Sequence, residues 1–234
     1  MSTFPDLLVE TQTAAEQPRL TAIHELVQRP ALSPQASVRA DQIHALVQQL
    51  FFHQHHDHRP EPVRHVAFAA VEPSTETATL CLDVARSLAE EDSYDVGLID
   101  AHTGSIPLQT QLQIQPTNRA ESTWPIAPHL WMVPRENWLP EAPWQRITDQ
   151  NLSRLRELTS EFDFSILWCA PVSWLTPIIG QACDGLVLVL TANKTRRLVA
   201  AQVKHQLNKA QAPLLGTVLA ERRFPLPQGL YQSL

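Results

Sequence analysis

Glycine is absent from the first 96 residues of this 234-residue chain, which carries only six, beginning at Gly97. That absence excludes a glycine-lined phosphate cradle there, because a backbone that approaches phosphate with free N–H groups needs residues without a Cβ. Cysteine is also scarce: Cys81, Cys169 and Cys183 fall on predicted core elements without metal-ligand spacing. They read as reduced, buried residues of a cytoplasmic protein. No apolar run exceeds strand length, so no segment is expected to enter a bilayer. Residues 1–6 have neither the basic region nor the apolar core of a signal peptide. An excess of cations is lacking as well: 18 Lys and Arg stand against 24 Asp and Glu, a net of −6. This argues against sequence-independent nucleic-acid binding, which needs a dense array of cations.

What is present fits a folded α/β protein. A hydrophobic content of 44% supplies a substantial core. Residues 1–36 are rich in Pro, Gln, Thr and Ala and read as a partly ordered arm, with one short amphipathic stretch at Leu20, Ile23, Leu26 and Val27. Residues 37–234 read as a single domain. It opens with a helix whose Ile43, Leu46, Val47, Leu50 and Phe51 share one face. From Val63 onward strand-like runs at 64–71, 95–101, 128–133, 163–169, 185–191 and 214–219 alternate with helical patterns near 77–91, 149–161, 173–182 and 195–209. That alternation predicts a mainly parallel sheet with helices on both faces. Residues 102–147, rich in proline and carrying Trp124, Trp131, Trp138 and Trp144, are the least regular part. Their indoles suit sugar stacking or a protein contact, but packing of this segment against the sheet is the stronger reading.

A strand-turn-helix unit stands where a phosphate loop belongs: Val66 to Val71, then Glu72-Pro73-Ser74-Thr75-Glu76-Thr77-Ala78-Thr79, then a helix carrying Leu80, Val84 and Leu88 on one face. Further motifs follow at Val96-Gly97-Leu98-Ile99-Asp100-Ala101-His102, at Asp163-Phe164-Ser165-Ile166-Leu167-Trp168-Cys169-Ala170-Pro171 and at Asp184-Gly185-Leu186-Val187-Leu188-Val189-Leu190. The last is followed by Lys194-Thr195-Arg196-Arg197 and by Leu214-Leu215-Gly216-Thr217-Val218-Leu219. From about residue 30 onward, this series resembles the cytoplasmic bacterial tyrosine kinases of capsule and exopolysaccharide systems, in the Min/Par-type P-loop ATPase group. The resemblance implies a P-loop NTPase fold with degenerate nucleotide motifs.

In that family the loop reads Pro-Gly-Glu-Gly-Lys-Ser/Thr-Thr. Here Pro73, Ser74, Thr75, Glu76, Thr77, Ala78 and Thr79 take those places, so only the first and last match. The lysine that reaches the outer phosphates and the hydroxyl that holds magnesium become Thr77 and Ala78. Of the carboxylates around the metal, Asp100 remains, while His102 and Trp168 stand where others are usual. The family's C-terminal tyrosine cluster is reduced to Tyr231, and the chain's other tyrosine is Tyr94. The family's Glu-x-x-Arg-x-x-Arg ring-assembly pattern falls on Asp41, His44 and Val47. The Ala220 position usually carries an asparagine.

The resemblance therefore implies a pseudo-ATPase with no expected cofactor. Such a protein acts through protein contacts in polysaccharide assembly or export, with a membrane-anchored polysaccharide co-polymerase as the candidate partner. Its location is cytoplasmic, peripheral at the inner membrane through that partner. The alternative is a weak ATPase or tyrosine kinase that uses ATP and magnesium, with Asp100 as metal ligand and Lys194 or Arg196 replacing the missing lysine. Those two cations also mark a candidate anion site, set against the plainer reading of a solvated helix start. A third reading is a metal-responsive module built on His53, His55, His56 and His58, although compositional histidine tracts are weak signals. No nucleophilic triad stands out among Ser74, Ser105, Asp100 and His102.

Overall fold

The structure is a computed structural model that describes residues 34–53, 62–72, 75–115, 122–139 and 147–221. Residues 1–39 and 40–234 are separate compact units. Within the first, the described residues are the opening of helix α1 (Pro34–Val47), which starts inside the segment read as an arm. The helix continues into a π-helical turn, Gln48–Phe52, and its Ile43, Val47, Leu50 and Phe51 are buried as their spacing predicts.

The following elements are β1 (His65–Ala70), α2 (Thr75–Glu91), β2 (Val96–Asp100), α3 (Leu108–Gln111), β3 (Trp124–Ala127), β4 (Leu130–Val133), α4 (Asp149–Ser160), β5 (Phe164–Trp168), α5 (Thr176–Ala182), β6 (Gly185–Thr191), α6 (Arg197–Lys209) and β7 (Leu214–Ala220). The sheet order is β3-β4-β2-β5-β1-β6-β7. All neighbours are parallel except β3 and β4. Alternation along each strand builds two core layers. Val66, Phe68 and Ala70 join Ile166 and Trp168 under α1 and α2. Ala67 and Ala69 join Leu167, with Leu155 and Leu158 of α4, Ile179 of α5 and Leu207 of α6. The mainly parallel, doubly covered sheet is therefore as the sequence predicts.

Several boundaries differ by a few residues, α2 starting at Thr75 and β4 at Leu130 among them, and three differences have local reasons. Strand β3 lies inside the stretch read as irregular, because Pro125 sits at a register shift on this edge strand and weakens its pattern. Helix α5 starts at Thr176, not 173, since Ser173 N donates to Thr176 Oγ1 at 2.9 Å and Leu175 N to Ser173 Oγ at 3.3 Å, an entry turn of hydroxyl caps. Helix α6 starts at Arg197, not 195, because Thr195 Oγ1 accepts from Thr191 N at 2.9 Å and holds a tight turn.

Strand β1 is fixed at its start by a distant residue: Asp184 Oδ2 accepts from the backbone N–H of Arg64 at 2.7 Å and of His65 at 2.8 Å. Gly97 permits close packing in β2, because a Cβ there would overlap the ring of Phe162, which packs on Trp131. Gly97→Ala is expected to cost about 1–3 kcal/mol by overpacking, read as a lower urea midpoint with an unchanged denaturant slope.

Candidate functional site

In an open parallel sheet, ligands bind beyond the carboxyl ends of the strands, at the switch point where the strand order reverses. Here that point is β1: the crossover through α2 runs past β5 to β2, and β6 lies on its other side. The start of α2, the end of β2, the end of β5 and the β6–α6 loop lie along that edge of the sheet. Pro73 and Ser74 lie outside the described residues, and so does the side chain of Thr75. Thr77 and Ala78 are buried in the first turns of α2. Glu76 sits in the first turn, at the positive end of the helix macrodipole. The helix terminus thus carries its own carboxylate where a phosphate would need to approach.

Asp100 is fully buried and serves the backbone. Its Oδ1 accepts from His102 N at 2.9 Å and its Oδ2 from Leu108 N at 2.8 Å, so the carboxylate closes the loop between β2 and α3. Its own carbonyl accepts from Trp138 Nε1 at 3.0 Å. Burial pushes the Asp100 pKa up to about 6, against the pull of the Leu108 and His102 amides and of the Arg135 charge. His102 is pushed down to about 4, first by burial and then by Arg135. Arg135 Nη1 donates to the carbonyl of Gly104 in the same loop.

Trp168 is opposite Asp100 in the β2–β5 register. Its side chain is 2% exposed and lies in the core layer that holds Ala78, Cys81 and Leu108. The His102 ring packs on it at a centroid distance of 4.7 Å. Its indole Nε1 is buried without a hydrogen-bond partner among the described residues. Sequence reasoning marked Trp168 as an indole at a carboxylate position. It missed Arg135 and the amide of Leu108, which no motif marks, and found Trp138 only as part of a tryptophan-rich stretch.

Magnesium-bound nucleotide is the group this fold implies, and the residues present do not fit it. The described positions for the lysine and the hydroxyl hold Thr77 and Ala78, and both Asp100 oxygens are committed to amides. The Trp168 indole, packed in the core, stands at a carboxylate position. Lys194, the proposed substitute, hydrogen-bonds Glu221 Oε2 at 2.8 Å. That bond raises its pKa, with the charges of Glu221, Glu76 and Glu72 adding. Arg196 is the exposed N-cap residue of α6. Next to it is an open groove of about 460 Å³ lined by Leu190, Thr191, Asn193, Thr195, Arg197 and Leu219.

The other expectations divide. Among the described residues no three His, Cys, Asp or Glu side chains converge on a metal-sized site. His53 is described, while His55, His56 and His58 lie outside. Asp100 engages backbone amides, so it is not the third member of a triad with His102; Ser105 is exposed. Trp124 and Trp138 are buried, as the packing reading requires, and Trp144 lies outside the described residues. Of the ring-pattern positions, Val47 is buried in the core, while His44 is exposed with its Nδ1 3.2 Å from Glu91 Oε1. Cys81 and Cys169 are buried as expected; Cys183 is only half-buried. Among the described residues no helix is long and apolar enough to cross a membrane.

No protein-family profile matches the sequence, and no curated protein does either. Solved structures do match. The chimerical protein CapA2B2 aligns with 85% of this chain and 89% of its own, at 17% identity and a TM-score of 0.65. The VpsO kinase domain aligns with 81% of this chain and 98% of its own, at 17% identity and a TM-score of 0.63. A ParA-family ATPase from Chlorobium tepidum TLS aligns with 73% and 78%, at 13% identity and a TM-score of 0.55. The chain has the α/β P-loop NTPase fold shared by bacterial tyrosine-kinase domains and ParA-type ATPases.

Proposed function

We propose that this chain is a pseudo-ATPase that keeps a kinase-like scaffold and acts through protein contacts in polysaccharide assembly or export. One observation carries the reading: the metal end of the nucleotide site is built from groups that serve the fold. Asp100 ties a loop through two backbone amides, and Trp168 packs into the core beside Ala78. Phosphoryl transfer rests on positioning and charge neutralisation across phosphate and magnesium, so losing cation, hydroxyl and free carboxylate together removes most of it. The polysaccharide setting and the membrane-anchored co-polymerase as partner come from the family resemblance. Cytoplasmic placement, peripheral at the inner membrane through that partner, belongs to the same reading.

Calorimetric titration of the purified chain with ATP and ADP, with and without magnesium, tests the central claim. The expected result is no binding heat at several temperatures. Micromolar affinity would overturn the proposal and revive the weak-ATPase reading, which further requires magnesium-dependent turnover that disappears in Asp100→Ala.

A further inference from the structure

The charges of this chain are segregated. From Gly185 to Ala220, the stretch that forms β6, α6 and β7, there is no Asp or Glu but five cations: Lys194, Arg196, Arg197, Lys204 and Lys209. Setting them aside leaves 13 Lys and Arg against 24 Asp and Glu in the other 198 residues, a net of −11. The basic unit lies at one margin of the sheet, with β7 as the edge strand. Lys194 is paired with Glu221. Arg196, Arg197, Lys204 and Lys209 have no ion-pair partner among the described residues, in a protein where carboxylates are in excess.

Helix α6 buries only Leu207 and half-buries Ala200 and Val203, so most of its circumference faces solvent. Over its 13 residues it spans roughly 20 Å. Leu198 is 78% exposed and Val199 38% exposed, in the same turn as Arg196 and Arg197. Leu198 is the most exposed large apolar side chain among the described residues.

We propose that α6 and its first turn form a docking face for an anionic lipid surface. Arg196, Arg197, Lys204 and Lys209 meet phosphate headgroups, and Leu198 with Val199 enters the boundary between headgroups and acyl chains. Interfacial helices work this way: apolar side chains insert shallowly while cations hold the charged surface. An acidic protein would meet the same cations, but the apolar pair placed among them favours lipid. The net −11 of the remaining chain is repelled by the same membrane, so the field of the whole molecule turns this margin toward it. This face runs from the β6–α6 loop, which borders the filled nucleotide site, along the length of α6, and needs no partner protein.

Co-sedimentation of the full chain with vesicles tests it. Vesicles of phosphatidylcholine alone are compared with vesicles holding roughly a third phosphatidylglycerol, near physiological and at high salt. Binding is expected only to the anionic vesicles, and high salt should release it. Arg196→Glu with Arg197→Glu should weaken it roughly tenfold or more, as should Lys204→Glu with Lys209→Glu. Leu198→Ser should weaken it without changing the salt dependence. All these residues are exposed, and circular dichroism checks that each variant is folded. No binding to anionic vesicles, or binding that survives both charge reversals, overturns the proposal. So does charge-dependent binding to soluble polyglutamate when the vesicles fail, which would assign the face to an acidic protein.

Discussion

Trp168→Ala is expected to lower the unfolding free energy by about 3–5 kcal/mol, and Trp168→Phe by less than about 1.5 kcal/mol. The indole is 2% exposed and shares its layer with Ala78, Leu108 and Ile166, so truncation removes buried apolar area and leaves a cavity between β5 and α2. Phenylalanine keeps most of that contact. It also removes the Nε1 group, which lacks a partner among the described residues, so losing the polar end alone costs no hydrogen bond. Urea unfolding of the three proteins checks both values. A neutral Trp168→Ala would mean that the indole is not holding the end of β5 in place.

The second large effect is a pair of opposed pH slopes. Asp100 has a folded-state pKa near 6, above its ordinary value of 3.8. Folding therefore favours its protonated form, and its contribution to stability grows as pH falls from 7 to 4. His102 has a folded-state pKa near 4, below its ordinary value of 6.5. Folding favours its neutral form, so its contribution is lost over the same interval. The Asp100 shift amounts to up to about 3 kcal/mol; His102 is only half-buried, so solvent screening makes its opposing contribution smaller. Asp100→Asn removes the first: relative to the parent it should lose up to about 3 kcal/mol between pH 7 and pH 4. His102→Gln should show the reverse drift. Chemical denaturation at a series of pH values measures these differences, with the remaining titrations common to parent and variant. Parallel curves for all three proteins would mean that neither group is buried as described.

The scaffold was legible because its strands are apolar runs bounded by turn chemistry and its helices repeat with a helical period. Residues 185–191 illustrate this, since an uninterrupted run matches β6 at both ends. The site was legible at the level of what its motifs lack. Thr77 at a lysine position and Trp168 at a carboxylate position can be read directly against the family pattern. What replaced the lost chemistry was not legible. The Asp100 carboxylate was read as a vestigial metal ligand, whereas its oxygens hold two amides of a loop whose course depends on Arg135 and Trp138, more than 30 residues away. The start of α6 was obscured for the opposite reason, since the Thr191–Thr195 turn is a local hydroxyl contact that a helical period does not register.

The order of strands also governs how this chain must fold. Strand β1 lies inside the sheet, but its neighbours β5 and β6 are contributed by residues 164–168 and 185–191. The carboxylate that fastens its first amides comes from Asp184. A ribosome-bound chain halted before that region would hold β1, β2 and α2 with their apolar faces uncovered and no partner strand for β1. Closing loops of this length precedes any gain from pairing, so the transition state carries high contact order and forms slowly. The nascent N-terminal half is then the part with the greatest demand for a chaperone, until the residues of β6 leave the exit tunnel.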